Sequence, residues 1–363
     1  MSAVRPPIHQ VLAGLMPGDG ISNHALLLRR TFREWGHESE IFVNPAHIHP
    51  GARDLCRPLE EHRRFSAPGH ICLYHFGIGD LATDYFLSVP DRRMIVYHNI
   101  TPPDLFDIIL PETALYLREG RSQLARLAPR VELALTISEF NRRELREAGF
   151  AATALVPLAI GWDALDGEPD PAVERRWGSR DDDLLFVGRI APNKRFEDLL
   201  LVFHYYRRFV KPGARLFLVG DDASTGPYRR HLDEMAAALG LEGVVFAGHA
   251  THAELLGYYR LGRVFVCMSE HEGYCVPPLE AMRFGIPVIA YDAGAVGETM
   301  GGGGILVDRK DPAEIAELAG LLVDDAGLRE RVTAAGRRRV AELRALPVEE
   351  RLRRELEPWL GER

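Results

Sequence analysis

The feature that most constrains this chain is an alternation that runs through it twice. Short apolar runs are each followed by a stretch of helical spacing, first between residues 8 and 158 and again from residue 184. In the first half the runs are Ile8–Ala13, Ser39–Val43, Ile71–His75, Met94–His98, Leu133–Ile137 and Thr153–Leu158. In the second they are LLFVG at 184–188, RLFLVG at 215–220, VVFAG at 244–248, VFVCMS at 264–269 and PVIAY at 287–291. Strands separated by helices of that length imply parallel crossovers, since antiparallel neighbours need only a tight turn.

A polar stretch at 161–183, GWDALDGEPDPAVERRWGSRDDD, separates the two series and reads as a domain boundary. The 363 residues suffice for two cores. The expected fold class is therefore α/β, with two Rossmann-like, doubly wound parallel-sheet domains facing across a cleft. The expected boundaries are 1–162 for the N-terminal domain and 163–343 for the C-terminal one. Residues 344–363 are expected to form a helix that returns toward the first domain. In such sheets ligands sit beyond the carboxyl ends of the strands, so the turns there are where chemistry is sought.

Charge narrows the function. A net charge of −8 argues against a general nucleic-acid binder, whose affinity depends on neutralising phosphates. The arginine-rich run from Arg337 to Arg354 is interspersed with Glu342, Glu349 and Glu350 and reads as a solvated helix face. Cys56, Cys72, Cys267 and Cys275 form no CxxC pair and read as reduced thiols. No apolar run is long enough to span a membrane, and MSAVRPPIHQVLAG does not resemble a secretory leader, so a cytoplasmic protein is expected. The segment LYLREGRSQLARLAPR at 115–130 mixes leucines with four arginines. It reads as a core helix with a basic outer face, and leaves open a peripheral contact with the inner face of the membrane.

Four segments carry candidate chemistry. The first is SEHEGYCVPPLEAM at 269–282, where Glu272 and Glu280 flank a glycine and a double proline. Pro277 and Pro278 suit a first helical turn, so a helix should start there and put Glu280 in that turn. The amides of Gly273, Tyr274, Cys275 and Val276 would lie at its N-terminus, beside two acceptor carboxylates. That mixture suits a polyhydroxylated ligand, because hydroxyls both give and accept hydrogen bonds. The plainer reading makes Glu280 a partner of the helix dipole and Glu272 a surface residue.

The second is GRIAPNKRFEDLL at 188–200, where Gly188 and Arg189 follow a strand and Lys194 lies in the next loop. Cations there would suit a diphosphate, or would simply be solvated. The third is the turn MPGDGISNHALLL at 16–28, with Gly18, Asp19 and Gly20, which could bring amides to an anion or merely connect. The fourth is YHNITPP at 97–103, where His98 ends a strand before a Pro-bounded loop and reads as either a structural or a catalytic histidine. GGGG at 301–304 reads equally as a phosphate loop or a turn into a strand.

Together, GRIAPNKRFEDLL and EHEGYCVPPLEAMRFGIPVIAYDAGAVGET resemble the donor-binding half of family 4 glycosyltransferases of the GT-B fold, with Glu272 and Glu280 matching that family's E-x7-E motif. GDGISN, YHNITPPDLF and ISEFNRREL resemble a bacterial branch of it. The resemblance implies a retaining hexosyltransferase that moves a hexose from a UDP- or GDP-linked donor to an acceptor hydroxyl, with no prosthetic group and no metal. The acceptor would be a saccharide, a lipid-linked saccharide or a small molecule. By that match Glu280 would hold the nucleotide ribose and Pro277 would be among the donor-binding residues, while Glu272 and the Gly273–Val276 amides would hold donor-sugar hydroxyls. Arg189 and Lys194 would clamp the diphosphate beside Gly188, with Gly18, Asp19 and Gly20 covering it. His98 would face the transferred sugar, and backbone near Gly248 and His249 would read the base.

Two departures stand out: Tyr274 and Cys275 replace a phenylalanine and a glycine, and Asp19 replaces a glycine. The D-x-D spacing in DDD at 181–183 precedes a strand, the wrong end for a metal at this site. The competing readings are a non-catalytic nucleotide-sugar-binding protein, a nucleotide-sugar epimerase, and a glycoside hydrolase using Glu272 and Glu280 as its acid and base.

Overall fold

The computed structural model describes residues 5–16 and 18–360. Pro17 of the MPGDG turn, and the first four residues of the stretch read for a leader, lie outside them. The chain divides into two compact units. The first comprises residues up to Pro103, then Glu112–Ala159 and the segment from Pro347; the second comprises Asp104–Pro111 and Ile160–Leu346.

The first unit holds a parallel sheet of seven strands: β1 (Ile8–Leu12), β2 (Ile41–Val43), β3 (Arg57–Pro58), β4 (Ile71–Phe76), β5 (Arg92–Tyr97), β6 (Leu133–Thr136) and β7 (Thr153–Leu155). Their spatial order is β3-β2-β1-β4-β5-β6-β7. Strands β1, β2 and β4 are buried along their whole length, as strands covered on both faces must be. The winding direction reverses between β1 and β4, which pair with Leu12 opposite His75.

The second unit holds β8 (Leu184–Val187), β9 (Leu216–Val219), β10 (Val244–Gly248), β11 (Val264–Cys267), β12 (Val288–Tyr291) and β13 (Ile305–Val307). Their order is β10-β9-β8-β11-β12-β13, again all parallel, and the reversal falls between β8 and β11. Ligands of doubly wound sheets bind at such reversals, where neighbouring crossovers leave in opposite directions and open a crevice. Both units are doubly wound, as the alternation predicted, and the two-domain α/β class holds.

The last helix, Val348–Leu360, places Leu352 and Leu356, one turn apart, in the core cluster of the first unit with Ile8, Phe32 and Trp35. The Trp35 indole donates to Glu349 Oε1 at 2.7 Å, and the Arg353 guanidinium lies 4.7 Å from its ring centroid. In the preceding helix, Ala326–Arg344, Arg339 donates to the carbonyls of Thr299 and Glu298, so part of the arginine-rich run caps a helix end. No helix among the described residues is long and apolar enough to cross a membrane.

Candidate active site

In the second unit the chain leaves β8 through Gly188 and Arg189 and forms a short turn, Pro192–Lys194. It leaves β11 through Ser269 into the EHEGYC loop. Backbone and side chain of Asn193 lock these two exits together. Its carbonyl accepts from Glu270 N at 2.9 Å, and its Nδ2 donates to the His271 carbonyl at 3.1 Å. Lys194 is thereby carried to Glu272, and its Nζ forms an ion pair with Glu272 Oε1. Burial alone would lower the Lys194 pKa, but the Glu272 carboxylate, helped by the nearby Cys275 and Cys267 thiols, leaves it raised.

Glu272 is buried, not a surface residue. Its backbone is held by the loop after β12: Ala295 N donates to the Glu272 carbonyl at 2.9 Å. Gly294 makes that approach feasible, since its φ is +60° and a Cβ there would stand 2.6 Å from the Glu272 carbonyl oxygen.

The helix expected at the double proline spans Pro277–Arg283, with Glu280 in its first turn. Glu280 Oε2 accepts from the Tyr259 hydroxyl at 2.6 Å. Burial raises the Glu280 pKa, against the pull of the Tyr259 hydrogen bond and of His252. Tyr259, stacked on Phe284 with ring centroids 5.0 Å apart, went unnoticed in the sequence because it sits among apolar helix positions. The N–H groups of Tyr274, Cys275 and Val276 donate no hydrogen bond among the described residues. Cys275 has φ +67°, a conformation that favours glycine, which accounts for the glycine of the resembled pattern at this position. Tyr274 is buried, with its carbonyl bonded by the Thr299 hydroxyl.

Arg189 is exposed and makes no hydrogen bond or ion pair among the described residues. Around the Lys194 turn lies a further charge cluster that the sequence did not suggest. Lys310 Nζ contacts Asp198 at 2.7 Å and Glu270 at 3.0 Å, and Arg195 reaches the same two carboxylates. Gly248 ends β10 at a register shift, with φ +70°, and His249 beyond it is exposed. Asp183 of the DDD run is fully buried and binds Arg215 through its backbone N at 2.9 Å and Nε at 3.1 Å. It is a structural anchor beneath β9.

In the first unit His98 follows β5, its N–H donating to the Phe76 carbonyl at 2.8 Å. The next residue, Asn99, has φ +79°, and its Nδ2 donates to Asn141 Oδ1 at 2.8 Å and Glu144 Oε2 at 3.0 Å. Those two acceptors lie on the helix Glu139–Glu147, capped by Ser138, whose Oγ accepts from Asn141 N. Thus YHNITPP and ISEFNRREL, separate signals in the sequence, form one network behind His98. Three residues outside the candidate set surround His98. His75 Nδ1 lies 2.9 Å from His98 Nε2, His75 Nε2 lies 2.8 Å from Gln10 Oε1, and His24 packs edge-on against both rings. The signal for Gln10 and His75, polar residues inside apolar runs, is present in IHQVL and ICLYHF.

One nitrogen each from His24, His75 and His98 lie within 4.8 Å of one another, so these three could hold a transition-metal ion. The lone pair of His75 that faces His98 can serve a proton or a metal, not both. Asp19 caps the helix Gly20–Glu34, its Oδ2 accepting from the N and Oγ of Ser22 at 3.0 Å each. A carboxylate already bonded at that helix end opposes a phosphate there, so the expected cover over the diphosphate from Gly18 to Gly20 loses its electrostatic basis.

Residues 173–339 match the family of glycosyl transferases group 1. That segment, a little under half of the chain, is similar to the group 1 glycosyltransferases. The chain is 34% identical over 174 residues to a D-inositol 3-phosphate glycosyltransferase of Geodermatophilus obscurus, covering 45% of this chain and 38% of that one. It is 30% identical over 234 residues to a GDP-mannose-dependent alpha-(1-6)-phosphatidylinositol monomannoside mannosyltransferase of Mycobacterium tuberculosis, covering 60% of this chain and 58% of that one. These matches thus span between about two fifths and three fifths of those relatives. Among solved structures, sucrose-phosphate synthase from Thermosynechococcus elongatus superposes with a TM-score of 0.73 at 19% identity, over 98% of this chain and 99% of that one. The fold of the chain is therefore GT-B.

Proposed function

We propose that the protein is a retaining hexosyltransferase that moves a hexose from a UDP- or GDP-linked donor to an acceptor hydroxyl. The observation that carries this reading is the Lys194–Glu272 pair at the β8/β11 reversal. A half-buried ammonium and a buried carboxylate stand side by side there, next to the Tyr274–Val276 amides, which donate no hydrogen bond among the described residues. The names of the two relatives, one of them GDP-mannose-dependent, support a nucleotide-sugar donor.

In this reading Lys194 meets the diphosphate, whose charge rises as the glycosidic bond stretches, so the cation stabilises the transition state more than the ground state. Exposed Arg189 supplies a second cation with a bidentate fork. Glu272 accepts from donor-sugar hydroxyls while holding Lys194 in place. Glu280, steadied by Tyr259 on one oxygen, accepts from the ribose with the other. His98 meets the transferred sugar. No side chain is assigned as a nucleophile on the sugar, so departure of the diphosphate and attack by the acceptor take place on the same face. With cations and amides to stabilise the leaving group, the reaction is expected to run without a metal ion.

The test is turnover of UDP- and GDP-hexoses with a panel of acceptors, with the product's anomeric configuration read by NMR. Retained configuration, with activity surviving EDTA, is the expected result. Inverted product would end the retaining assignment. Nucleotide binding without turnover of any acceptor would favour a non-catalytic sugar-nucleotide binder.

A further inference from the structure

We infer that Gln10 and His75 are positioning residues that hold His98 in one tautomer, with its proton on Nε2 and its lone pair on Nδ1. The inference rests on the reading that His98 meets the donor sugar, and says which kind of partner His98 offers it.

The argument starts at a group whose role is unambiguous. Gln10 Nε2 lies 3.1 Å from the carbonyl oxygen of Ala25, in the helix Gly20–Glu34. A carbonyl only accepts, so the amide NH2 must point there, which turns Gln10 Oε1 toward His75. That oxygen, 2.8 Å from His75 Nε2, also only accepts, so His75 Nε2 carries a proton. His75 is wholly buried between strands, and burial among other imidazoles drives its pKa well below the usual histidine range. A neutral ring protonated at Nε2 has a bare Nδ1. The 2.9 Å contact between His75 Nδ1 and His98 Nε2 therefore needs its proton from His98. His98, half-buried and held neutral beside His24, is left with an unprotonated Nδ1, which has no partner among the described residues.

The surroundings keep this chain from reversing. The two rings are stacked, with an interplanar angle of 17°, and His24 closes their side at centroid distances of 5.9 and 5.5 Å. His24 is buried and meets both rings edge-on, so it offers neither of them an in-plane hydrogen bond that would redirect the protons. A metal-ligating histidine is oriented by the same kind of outer partner, and here the device serves a proton. His98 accordingly presents an acceptor, suited to a donor-sugar hydroxyl that gives its hydrogen.

The test reads the tautomer directly. In 15N–1H correlation spectra of the folded wild-type protein, the His98 ring, assigned through its loss in His98→Gln, should show only the Nε2–H pattern. Gln10→Leu removes the acceptor that orders the chain, and His75→Phe removes the acceptor for His98 with little change of shape. Each should bring in the second tautomer and lower kcat about tenfold, the worth of one to two hydrogen bonds, with KM for the donor little changed. An Nδ1–H signal for His98 in the wild type overturns the inference, whatever the variants do. So does Gln10→Leu with tautomer and kcat unchanged. If His98→Ala leaves transfer intact, the assignment of His98 to the sugar fails instead, and the tautomer result still stands or falls separately.

Discussion

The two units share a winding pattern yet equip their reversal points in opposite ways. Where β1 and β4 part in the first unit, the side chains are neutral: an amide and imidazoles joined in a hydrogen-bonded series. Where β8 and β11 part in the second, they are charged: Lys194 with Glu272, and Lys310 and Arg195 with Asp198 and Glu270. The same backbone crevice thus serves two electrostatic purposes. Neutral, directional groups suit a sugar whose hydroxyls must be oriented, whereas fixed cations suit a leaving group that gains negative charge.

Four measurements would break or sharpen that contrast. The largest effect is expected at Asp183, which lies outside both sets. Asp183→Ala leaves Arg215 buried without its partner and should cost about 3–5 kcal/mol of stability in urea unfolding. A loss of metal-dependent activity without that destabilisation would restore the D-x-D reading. Next, Lys194→Ala should lower kcat about 10²–10³-fold, about 3–4 kcal/mol, while nucleotide binding measured by calorimetry weakens far less. Equal losses would make Lys194 a binding group only.

The third measurement is unfolding against pH. The pKa of His24 is about 4 in the fold against 6.5 in the unfolded chain. Between those values the unfolded chain takes up a proton that the folded one refuses, so stability falls as pH drops from 6.5 toward 4. At about 1.4 kcal/mol per pH unit, His24 alone accounts for about 3 kcal/mol, and His9, lowered to about 3, adds to it. A flat profile over this window would mean that the histidines of the first unit are not held neutral. The smallest effect is at Cys275, where Cys275→Gly relieves the φ of +67° and should raise stability by about 1 kcal/mol in thermal melts. A decrease would show that the hydrogen bond between the Cys275 and Cys267 thiols outweighs the backbone strain.

Much of the second site was legible because its residues fall within two short segments with local signatures. The double proline announced the helix at Pro277, and Glu272, Glu280, Arg189 and Lys194 were singled out from spacing and strand ends. What spacing could not reveal was that Lys194 and Glu272, 78 residues apart, pair with each other. The first site was less legible. His98 stood out by ending a strand, but Gln10, His24 and His75 come from three other elements, and a polar residue in an apolar run carries no label for its partner. Asp19 was legible as a departure from a glycine pattern, yet only the bond to Ser22 explained it.

By itself the sequence determined the periodicity: parallel strands, their helices, two series and the turns between them. Those follow from local rules, since the spacing of apolar residues and the placement of proline and glycine act over a few residues. The tertiary structure alone decided which distant polar groups meet, and so which charges are neutralised and which nitrogen holds a proton. Those outcomes depend on burial and on distances of about 3 Å between residues remote in the chain, and no local pattern encodes them.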